Sequence, residues 1–307
     1  MSESNTDPEN TDEVTAQEQI IAPLVYREFN QQQLDTAYDQ GSLVQDRQPW
    51  ERAWRTGSDE AIEQLNVQRD LAYGDSPAQK LDLFLPAGEG PFPLVAFFHG
   101  GGWTRNGKGQ FAFPAQAFVE HDVAFAAIGF DMMPHVRVDE MVVQARQAVD
   151  WLLANAGELN LDADALFVAG HSSGAHLAVS TITVDNATPA PDIKGALLLS
   201  GVYDLEPLSL CSRNDELRFD EEAVRTLSPI RHIPQDPCPL VIACADGDLD
   251  EFQRQSETFA QAWEAGDGDA QFIRYARHNH FSLTLELADA TSEAMQAFLA
   301  LIEQPPV

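Results

Sequence analysis

Blocks of apolar residues alternate with amphipathic stretches along most of the chain. The block at 93–99, PLVAFFH, is apolar almost without interruption, as expected for a strand that is buried on both faces of a sheet. The block at 81–86, LDLFLP, alternates and ends in proline, which is typical of an edge strand. Further buried strands are predicted at 123–130, 165–170, 195–200 and 239–245.

Amphipathic patterns fill the intervals between these strands. In 137–156 the apolar residues recur at the period of an α-helix, so that Met141, Val142 and Ala145 share one face with residues of the following turns. Alternation of strands and helices predicts an α/β fold, with a mostly parallel central sheet and helices on both faces. The predicted helices are 110–120, 137–156, 173–185, 251–265 and 286–302.

Three segments depart from this alternation. Residues 201–236 are polar and follow a strand end, where loops form binding sites, so they are predicted to be a small cap or loop insertion. Residues 21–70 have a polar, helical pattern and are predicted to be an N-terminal extension of a catalytic domain at 71–307. Residues 1–20 carry six acids and no base, which predicts a disordered acidic tail.

The charge balance narrows the range of partners. The chain has 49 acids against 18 lysines and arginines, a net charge of −31, which repels nucleic acid and anionic membranes. It contains no long apolar segment and no secretory leader pattern, so we expect a cytoplasmic protein with a small-molecule substrate. We consider a homodimer as the candidate assembly. The three cysteines lack the spacing of a disulfide framework or a zinc site, and we expect neither a cofactor nor a metal.

The segment Gly170-His171-Ser172-Ser173-Gly174 lies between a predicted strand and a predicted helix. In this setting G-x-S-x-G predicts a nucleophile elbow, a sharp turn that exposes the central serine above the sheet. The glycines remove Cβ atoms that would clash in the turn. Ser172 is therefore the candidate nucleophile.

A serine nucleophile needs amide groups that stabilise an oxyanion. The run His99-Gly100-Gly101-Gly102-Trp103 follows a strand end, where glycines allow backbone N–H groups to approach a developing charge. We predict the N–H groups of Gly101, Gly102 and Ser173 as the donors. His99 is expected to brace this loop by hydrogen bonds.

The serine also needs a base and an acid, which follow it in this order of the chain: serine, acid, histidine. Asp248 lies in the loop after the strand at 239–245 and is the preferred acid, with Asp246 as the alternative. His280 is the preferred base and His278 the alternative. Together Ser172, Asp248 and His280 predict a serine hydrolase that acts by acyl transfer.

The quoted motifs resemble the α/β-hydrolase superfamily and, within it, the kynurenine formamidase (arylformamidase) group. The resemblance runs from about Tyr73 to the C-terminus. HGGGW and GHSSGAHL are shared with hormone-sensitive-lipase-like esterases, whereas SGVYDLEPL and DEFQRQS are closer to the formamidases. The resemblance carries the family's serine, acid and histidine onto Ser172, Asp248 and His280.

The resemblance implies hydrolysis of N-formyl-kynurenine to kynurenine and formate, a step of tryptophan breakdown. The family's glycine loop usually reads His-Gly-Gly-Tyr-Trp, and Gly102 in place of the tyrosine predicts a wider pocket beside the serine. An aryl amine needs an aromatic slot, for which we consider Trp103, Tyr203 and Phe281.

Two other hypotheses remain beside the arylformamidase. A carboxylesterase for short-chain esters would use the same residues. A binding protein that kept the fold without catalysis is disfavoured, because sequence drift should have erased at least one member of the predicted set.

Overall fold

The computed structural model describes residues 22–44, 46–183 and 191–304. The acidic tail predicted for 1–20 lies outside these ranges, as does the end of the helix predicted at 173–185. In the described part of the chain, no helix has the length and the apolar content needed to cross a membrane.

The described residues form one eight-stranded sheet and a separate two-stranded ribbon. The ribbon pairs β1 (Leu24–Tyr26) with β2 (Phe29–Asn30). The strands of the main sheet are β3 (Val67–Ala72), β4 (Lys80–Phe84), β5 (Phe92–Phe98), β6 (Ala124–Ile128), β7 (Leu161–His171), β8 (Ile193–Leu199), β9 (Leu240–Gly247) and β10 (Ala270–Asn279).

The order across the main sheet is β10-β9-β8-β7-β5-β6-β4-β3. The pairings from β10 to β6 are parallel, and only β4 and β3 run antiparallel to their neighbours. The carboxyl ends of the parallel strands therefore meet at one edge of the sheet, where β5, β7 and β9 each lead into a loop.

Helices cover both faces of the sheet and separate two apolar cores. One core joins α5, α6 and α10 to one face of the strands, and the other joins α3, α4 and α11 to the opposite face. The described helices are α1 (Gln31–Ala37), α2 (Gln40–Leu43), α3 (Gln48–Gln64), α4 (Ala115–Val119), α5 (Val138–Ala154), α6 (Ser173–Thr183), α7 (Glu206–Ser209), α8 (Asn214–Leu217), α9 (Glu221–Leu227), α10 (Asp250–Ala265) and α11 (Glu293–Ile302), with 3-10 turns at Lys108–Gln110, Pro229–Arg231 and Ser282–Ala288.

β5 shows how the sequence pattern produces this layering. Ala96 and Phe98 pack into one core, while Val95 and Phe97 pack into the other, so every position of the strand except Pro93 is buried. A strand that is covered on both sides must be apolar without alternation. The α/β-hydrolase fold, with a mostly parallel sheet between two helical layers, is confirmed.

Several element predictions need correction. The edge strand is β3 rather than the predicted 81–86, so residues 67–70 belong to the main sheet and not to a helical extension. The sequence of β3, VQRDLA, is half polar, and none of its residues is buried, because the strand lies at the edge of the sheet with one neighbour. β10 is absent from the sequence prediction for a similar reason, since exposed and buried residues mix along it.

The helix predicted at 286–302 is two elements. A 3-10 turn covers Ser282–Ala288, and α11 begins at Glu293 because the Ser292 hydroxyl accepts a hydrogen bond from the Met295 amide and caps the helix. The predicted boundary therefore missed a capping serine in the middle of an apolar pattern.

The N-terminal segment, residues 22–66, packs against the rest of the molecule. The Tyr38 hydroxyl donates to Glu251 Oε2 at 2.8 Å and accepts from Gln255 Nε2 at 2.7 Å, which joins it to α10. Trp54 is buried against Phe111, with ring centroids 5.1 Å apart. The division of the chain into an extension and a catalytic domain stays a prediction.

Candidate active site

Ser172 lies in the sharp turn between β7 and α6. Its φ of 55° is in the left-handed region, which non-glycine residues rarely adopt, and its amide donates to Leu199 O at 2.8 Å. Gly170 and Gly174 are required by close approach: a Cβ on Gly170 would meet Gly174 O at 2.4 Å, and one on Gly174 would meet Phe98 O at 2.1 Å. The turn therefore has the strained form that G-x-S-x-G predicts.

A chain of hydrogen bonds joins the three residues that the sequence singled out. Ser172 Oγ lies 2.9 Å from His280 Nε2, and His280 Nδ1 lies 2.7 Å from Asp248 Oδ1. All three side chains are buried although they are separated by up to 108 positions in the chain. A carboxylate acceptor at Nδ1 leaves Nε2 free to accept a proton from the serine.

Asp248 is held as a carboxylate by its surroundings. Burial raises the pKa of its carboxyl group, but the nearby His280 charge and hydrogen bonds from His280, Ser200 and the Ala245 amide outweigh burial, and the net pKa lies below its ordinary value. The Ser200 hydroxyl and the Ala245 amide both donate to Oδ2, at 2.5 and 2.9 Å, while His280 uses Oδ1. The charge is therefore available to stabilise a protonated imidazole.

The glycine run after β5 forms a loop beside Ser172. Gly101 and Gly102 have φ values of 142° and 61°, which glycine adopts without strain, and both line the same cavity as Ser172. Within the described residues, the amide N–H groups of Gly101, Gly102 and Ser173 have no hydrogen-bond acceptor. Ser173 Oγ accepts from the Trp103 amide at 3.2 Å, which fixes the loop to the start of α6.

The alternative residues do not reach the serine. His278 Nε2 lies 3.2 Å from Glu286 Oε1. Asp246 is exposed to solvent and does not line the cavity.

His99 is buried between Phe111 and Phe130, and its Nδ1 bonds the Gly100 carbonyl at 2.9 Å. Burial lowers the pKa of His99 to about 4, so this ring is neutral and braces the glycine loop.

A cavity of about 630 Å³ opens above these groups. Two parts of the molecule line it. The strand-end wall consists of the residues at the ends of β5, β7 and β10, namely Gly100–Gly102, His171, Ser172 and His280. The cap consists of cavity-lining residues from the N-terminal segment and from the insertion at 201–236, namely Asp35, Tyr38, Asp39, Gln40, Gly41, Arg47, Glu51, Trp54, Cys211, Ser212, Arg213 and Glu216.

Two of the three predicted substrate contacts are wrong. Trp103 is only 3% exposed and packs edge-on against His176 and Phe219, so its ring belongs to the core rather than to the cavity. Its φ of 63° turns the side chain away after the glycine run. Tyr203 is fully buried and stacks on Phe259 with ring centroids 4.2 Å apart, because it follows a buried strand end.

Phe281 does line the cavity, as the sequence predicted. Its ring lies 6.3 Å from that of Trp54, which in turn lies 5.1 Å from Phe111. Trp54 and Phe111 are only 3% and 1% exposed, so Phe281 is the partly exposed ring of this cluster and the other two pack next to it. Trp54 belongs to the N-terminal segment, and no sequence motif linked it to the site.

Gln40 is a site residue that the sequence analysis missed. Its Nε2 lies 3.3 Å from both Asp248 Oδ1 and His280 Nδ1, so that α2 of the N-terminal segment touches the hydrogen-bonded series. Gln40 Oε1 is buried and has no partner among the described residues. A single glutamine in a polar segment 208 positions from Asp248 carries no motif that could have revealed this contact.

The fold and this hydrogen-bonded series define an α/β-hydrolase. In agreement, the BD-FAE family model matches residues 81–196. The chain is 32% identical over 258 residues to the kynurenine formamidase of Danio rerio, covering 81% of this chain and 87% of that protein. The chain therefore belongs to the kynurenine formamidase family, and it is a hydrolase.

Two further similarities are to a solved structure and to a plant esterase. A crystal structure from a Silicibacter species superposes with a TM-score of 0.76 at 26% identity, covering 88% of this chain and 99% of that one. An isoprenylcysteine alpha-carbonyl methylesterase of Arabidopsis thaliana is 28% identical over 247 residues, covering 72% of this chain and 52% of that protein.

Proposed function

We propose that the chain hydrolyses aryl formamides, with N-formyl-kynurenine as the substrate, by acyl transfer through Ser172. The observation that carries the proposal is the unbroken hydrogen-bonded series from Ser172 through His280 to Asp248 in a chain of this family. The same three residues form the predicted catalytic triad.

In the first half of the reaction, His280 Nε2 takes the proton of Ser172 Oγ as this oxygen attacks the formyl carbonyl. The carbonyl oxygen becomes an oxyanion and accepts hydrogen bonds from the N–H groups of Gly101, Gly102 and Ser173. Asp248 stabilises the imidazolium. His280 then protonates the nitrogen of the aryl amine, which leaves.

In the second half, a water molecule gives a proton to His280 and attacks the formyl-enzyme ester. The resulting tetrahedral intermediate collapses to formate, and Ser172 regains its proton from His280. Loss of one oxyanion donor typically raises the barrier of such a reaction by about 3 kcal/mol.

The cavity lining supports an aromatic amine as the leaving group. Phe281 is a partly exposed ring of the lining, next to the buried rings of Trp54 and Phe111, and an aryl ring can stack on Phe281 or meet it edge-on. A formyl group has no carbon beyond the carbonyl and needs little space beside the serine. The cavity volume of about 630 Å³ is ample for both parts of N-formyl-kynurenine.

Relative activity tests this function. We expect kcat/KM for N-formyl-kynurenine to exceed that for a short-chain nitrophenyl ester, measured with the same enzyme preparation. Cleavage of the ester with no turnover of the formamide would overturn the formamidase function while leaving the hydrolase intact.

A carboxylesterase is the second candidate, favoured by the similarity to the plant methylesterase. An ester would use the same three residues, because Ser172 attacks its carbonyl in the same way and the leaving alcohol also takes its proton from His280. The nitrophenyl ester in the preceding experiment measures this activity directly.

A further inference from the structure

Three arginines line the cavity of this strongly acidic protein: Arg47, Arg105 and Arg213. Arg47 is engaged, because its Nε lies 2.8 Å from Glu51 Oε1. The other two are far less neutralised. Arg213 Nε is 3.9 Å from Glu216 Oε2, which is too long for a hydrogen bond.

Arg213 lies directly beside the glycine loop. Its Nη2 donates to Gly102 O at 3.0 Å, and a Cβ on residue 102 would lie 2.3 Å from the same nitrogen. The guanidinium therefore occupies the space that a side chain at position 102 would need. This corrects the sequence prediction that Gly102 widens the pocket, since the space is filled by a cation from the insertion.

The surroundings of Arg213 strengthen its attraction for an anion. Its side chain is 32% exposed, and burial, as the largest cause, lowers the pKa of its guanidinium. The positive charge of Arg105 lowers this pKa further, so the two guanidinium groups are close enough to repel each other. Arg105 forms no side-chain hydrogen bond or ion pair with another described residue.

The acids on this side of the cavity are largely occupied. Asp35 accepts hydrogen bonds from the amide and the hydroxyl of Ser212, each at 2.7 Å. Asp39 accepts from the Gly41 amide at 3.0 Å and caps α2. In the described part of the chain neither carboxylate forms an ion pair with Arg213 or Arg105, although Asp39 lies close enough to raise the pKa of Arg213.

We propose that Arg213, assisted by Arg105, binds a carboxylate on the leaving group of the substrate, so that the enzyme selects aryl formamides that carry a negative charge. The proposal rests on the proposed function, because it names the class of formamide that the site takes. A planar guanidinium binds a carboxylate with two parallel hydrogen bonds. The proposal concerns the α-carboxylate alone: N-formyl-kynurenine also carries a protonated α-amino group near neutral pH, so the net charge of −31 does not repel it as it would an anion.

A matched pair of substrates isolates the charge. N-formyl-kynurenine and its α-carboxamide differ at one group, where a neutral amide replaces the carboxylate. The constants kcat and KM are measured for both substrates with wild type, Arg213→Gln and Arg225→Gln. Arg225 is the control, because it lies in the same insertion, is 63% exposed and pairs with Glu222 outside the cavity.

For wild type we expect kcat/KM to be at least about tenfold higher for the carboxylate than for the carboxamide. Arg213→Gln should lower kcat/KM for the carboxylate about 10- to 100-fold, mainly through KM, and change the carboxamide less than about threefold. Arg105→Gln should give the same pattern with a loss of about threefold, since this side chain is exposed. Arg225→Gln should alter neither substrate.

Equal losses for both substrates in Arg213→Gln would overturn the proposal, because they would mean that Arg213 only supports the glycine loop. Arg213→Lys keeps the charge and should retain part of the selectivity, and melting curves verify that each variant is folded. If wild type cleaves neither formamide, the proposed function fails. The subsite is then judged by the same ratio on 4-acetoxybenzoate and phenyl acetate, where no preference for the carboxylate overturns it.

Discussion

The strand-end wall and the cap meet at one cavity but are built differently. Ser172 and His280 in the wall are 8% and 4% exposed, and they are held by strand ends between two apolar cores. In the cap, the side chains of Arg47 and Glu216 are 36% and 53% exposed; Arg47 precedes α3, and Glu216 lies in the four-residue helix α8. The comparison teaches that the wall fixes the chemistry, whereas the cap offers charge and shape that can select a substrate.

Replacement of Ser172 in the strand-end wall has the largest expected effect on activity. Ser172→Ala should lower kcat by about 10⁴-fold or more on every substrate, because no other oxygen lies at the required distance from His280 Nε2 in the described site. The measurement is single-substrate kinetics on the formamide and on a nitrophenyl ester. Ser173→Ala is the matched control and should lose far less, since it removes only the bond to the Trp103 amide. Residual activity of Ser172→Ala above about a thousandth of wild type would point to another nucleophile.

A substitution at Gly102, where the strand-end wall meets Arg213 of the cap, should have the next largest effect on activity. Gly102→Ala introduces a Cβ at φ 61° and within 2.3 Å of Arg213 Nη2, so it strains the loop and displaces the guanidinium. We expect kcat/KM for N-formyl-kynurenine to fall about 10- to 100-fold, because one oxyanion donor moves.

Gly107→Ala serves as the control for that loop. Gly107 has an extended backbone with φ −177°, and no atom lies within 4 Å of an added Cβ. The activity of Gly107→Ala should match that of wild type. A similar loss of activity in both variants would contradict the claim that the Cβ at position 102 strains the loop and displaces Arg213.

Removal of the contact between Gln40 in the cap and the Asp248–His280 pair should have a smaller effect on kcat. Gln40→Leu removes the amide group that lies 3.3 Å from Asp248 and from His280, and we expect kcat to fall about 3- to 10-fold with little change in KM. Gln40→Glu should also move the acidic limb of the kcat profile to higher pH, because a second carboxylate favours the protonated imidazole. Gln32→Leu, at an exposed position of α1, is the control. An unchanged pH profile for Gln40→Glu would limit Gln40 to packing.

The smallest effect concerns stability in acid. Burial lowers the pKa of His99 and His176 to about 4 and that of His171 to about 3. Each is protonated in the unfolded chain below about pH 6.5 but neutral in the folded state, so stability is full above that pH and falls as pH drops toward 4.

One histidine can be removed to test this slope. His176 Nε2 donates to Leu227 O at 2.8 Å and joins the first turns of α6 to the insertion. His176→Gln cannot take up a proton, so between about pH 4.5 and 6 its free energy of unfolding should depend less on pH, by about 1.4 kcal/mol per unit. Urea unfolding at four pH values measures both slopes, and identical slopes would contradict the neutral buried state.

The sequence predicted the wall far better than the cap. β5 and β7 could be predicted because burial on both faces requires unbroken apolar runs. The turn at Ser172 could be predicted because only glycine permits the close backbone contacts at positions 170 and 174. Trp103 was misassigned because a left-handed residue after a glycine run reverses the direction of the side chain, which no pattern of residue types reveals.

The cap resisted prediction for a different reason. Gln40 and Arg213 reach the site through contacts between segments that are far apart in the chain, and their neighbours in sequence are ordinary polar residues. β3 was missed because an edge strand with one partner tolerates the polar sequence VQRDLA. The local pattern of apolar residues indicates which positions are buried. The contacts of Gln40, Arg213 and β3 depend instead on which distant segments pack against each other.

The docking of Tyr38 onto α10 has a practical consequence. Its hydroxyl is bonded on both sides by Glu251 and Gln255, and the same N-terminal segment adds α3 to a core and Gln40 to the site, so contacts between distant parts of the chain help to hold the catalytic geometry. Chimaeras that join this segment of one family member to the sheet of another, with these contacts kept, should therefore differ from the sheet donor both in preference for the leaving group and in kcat.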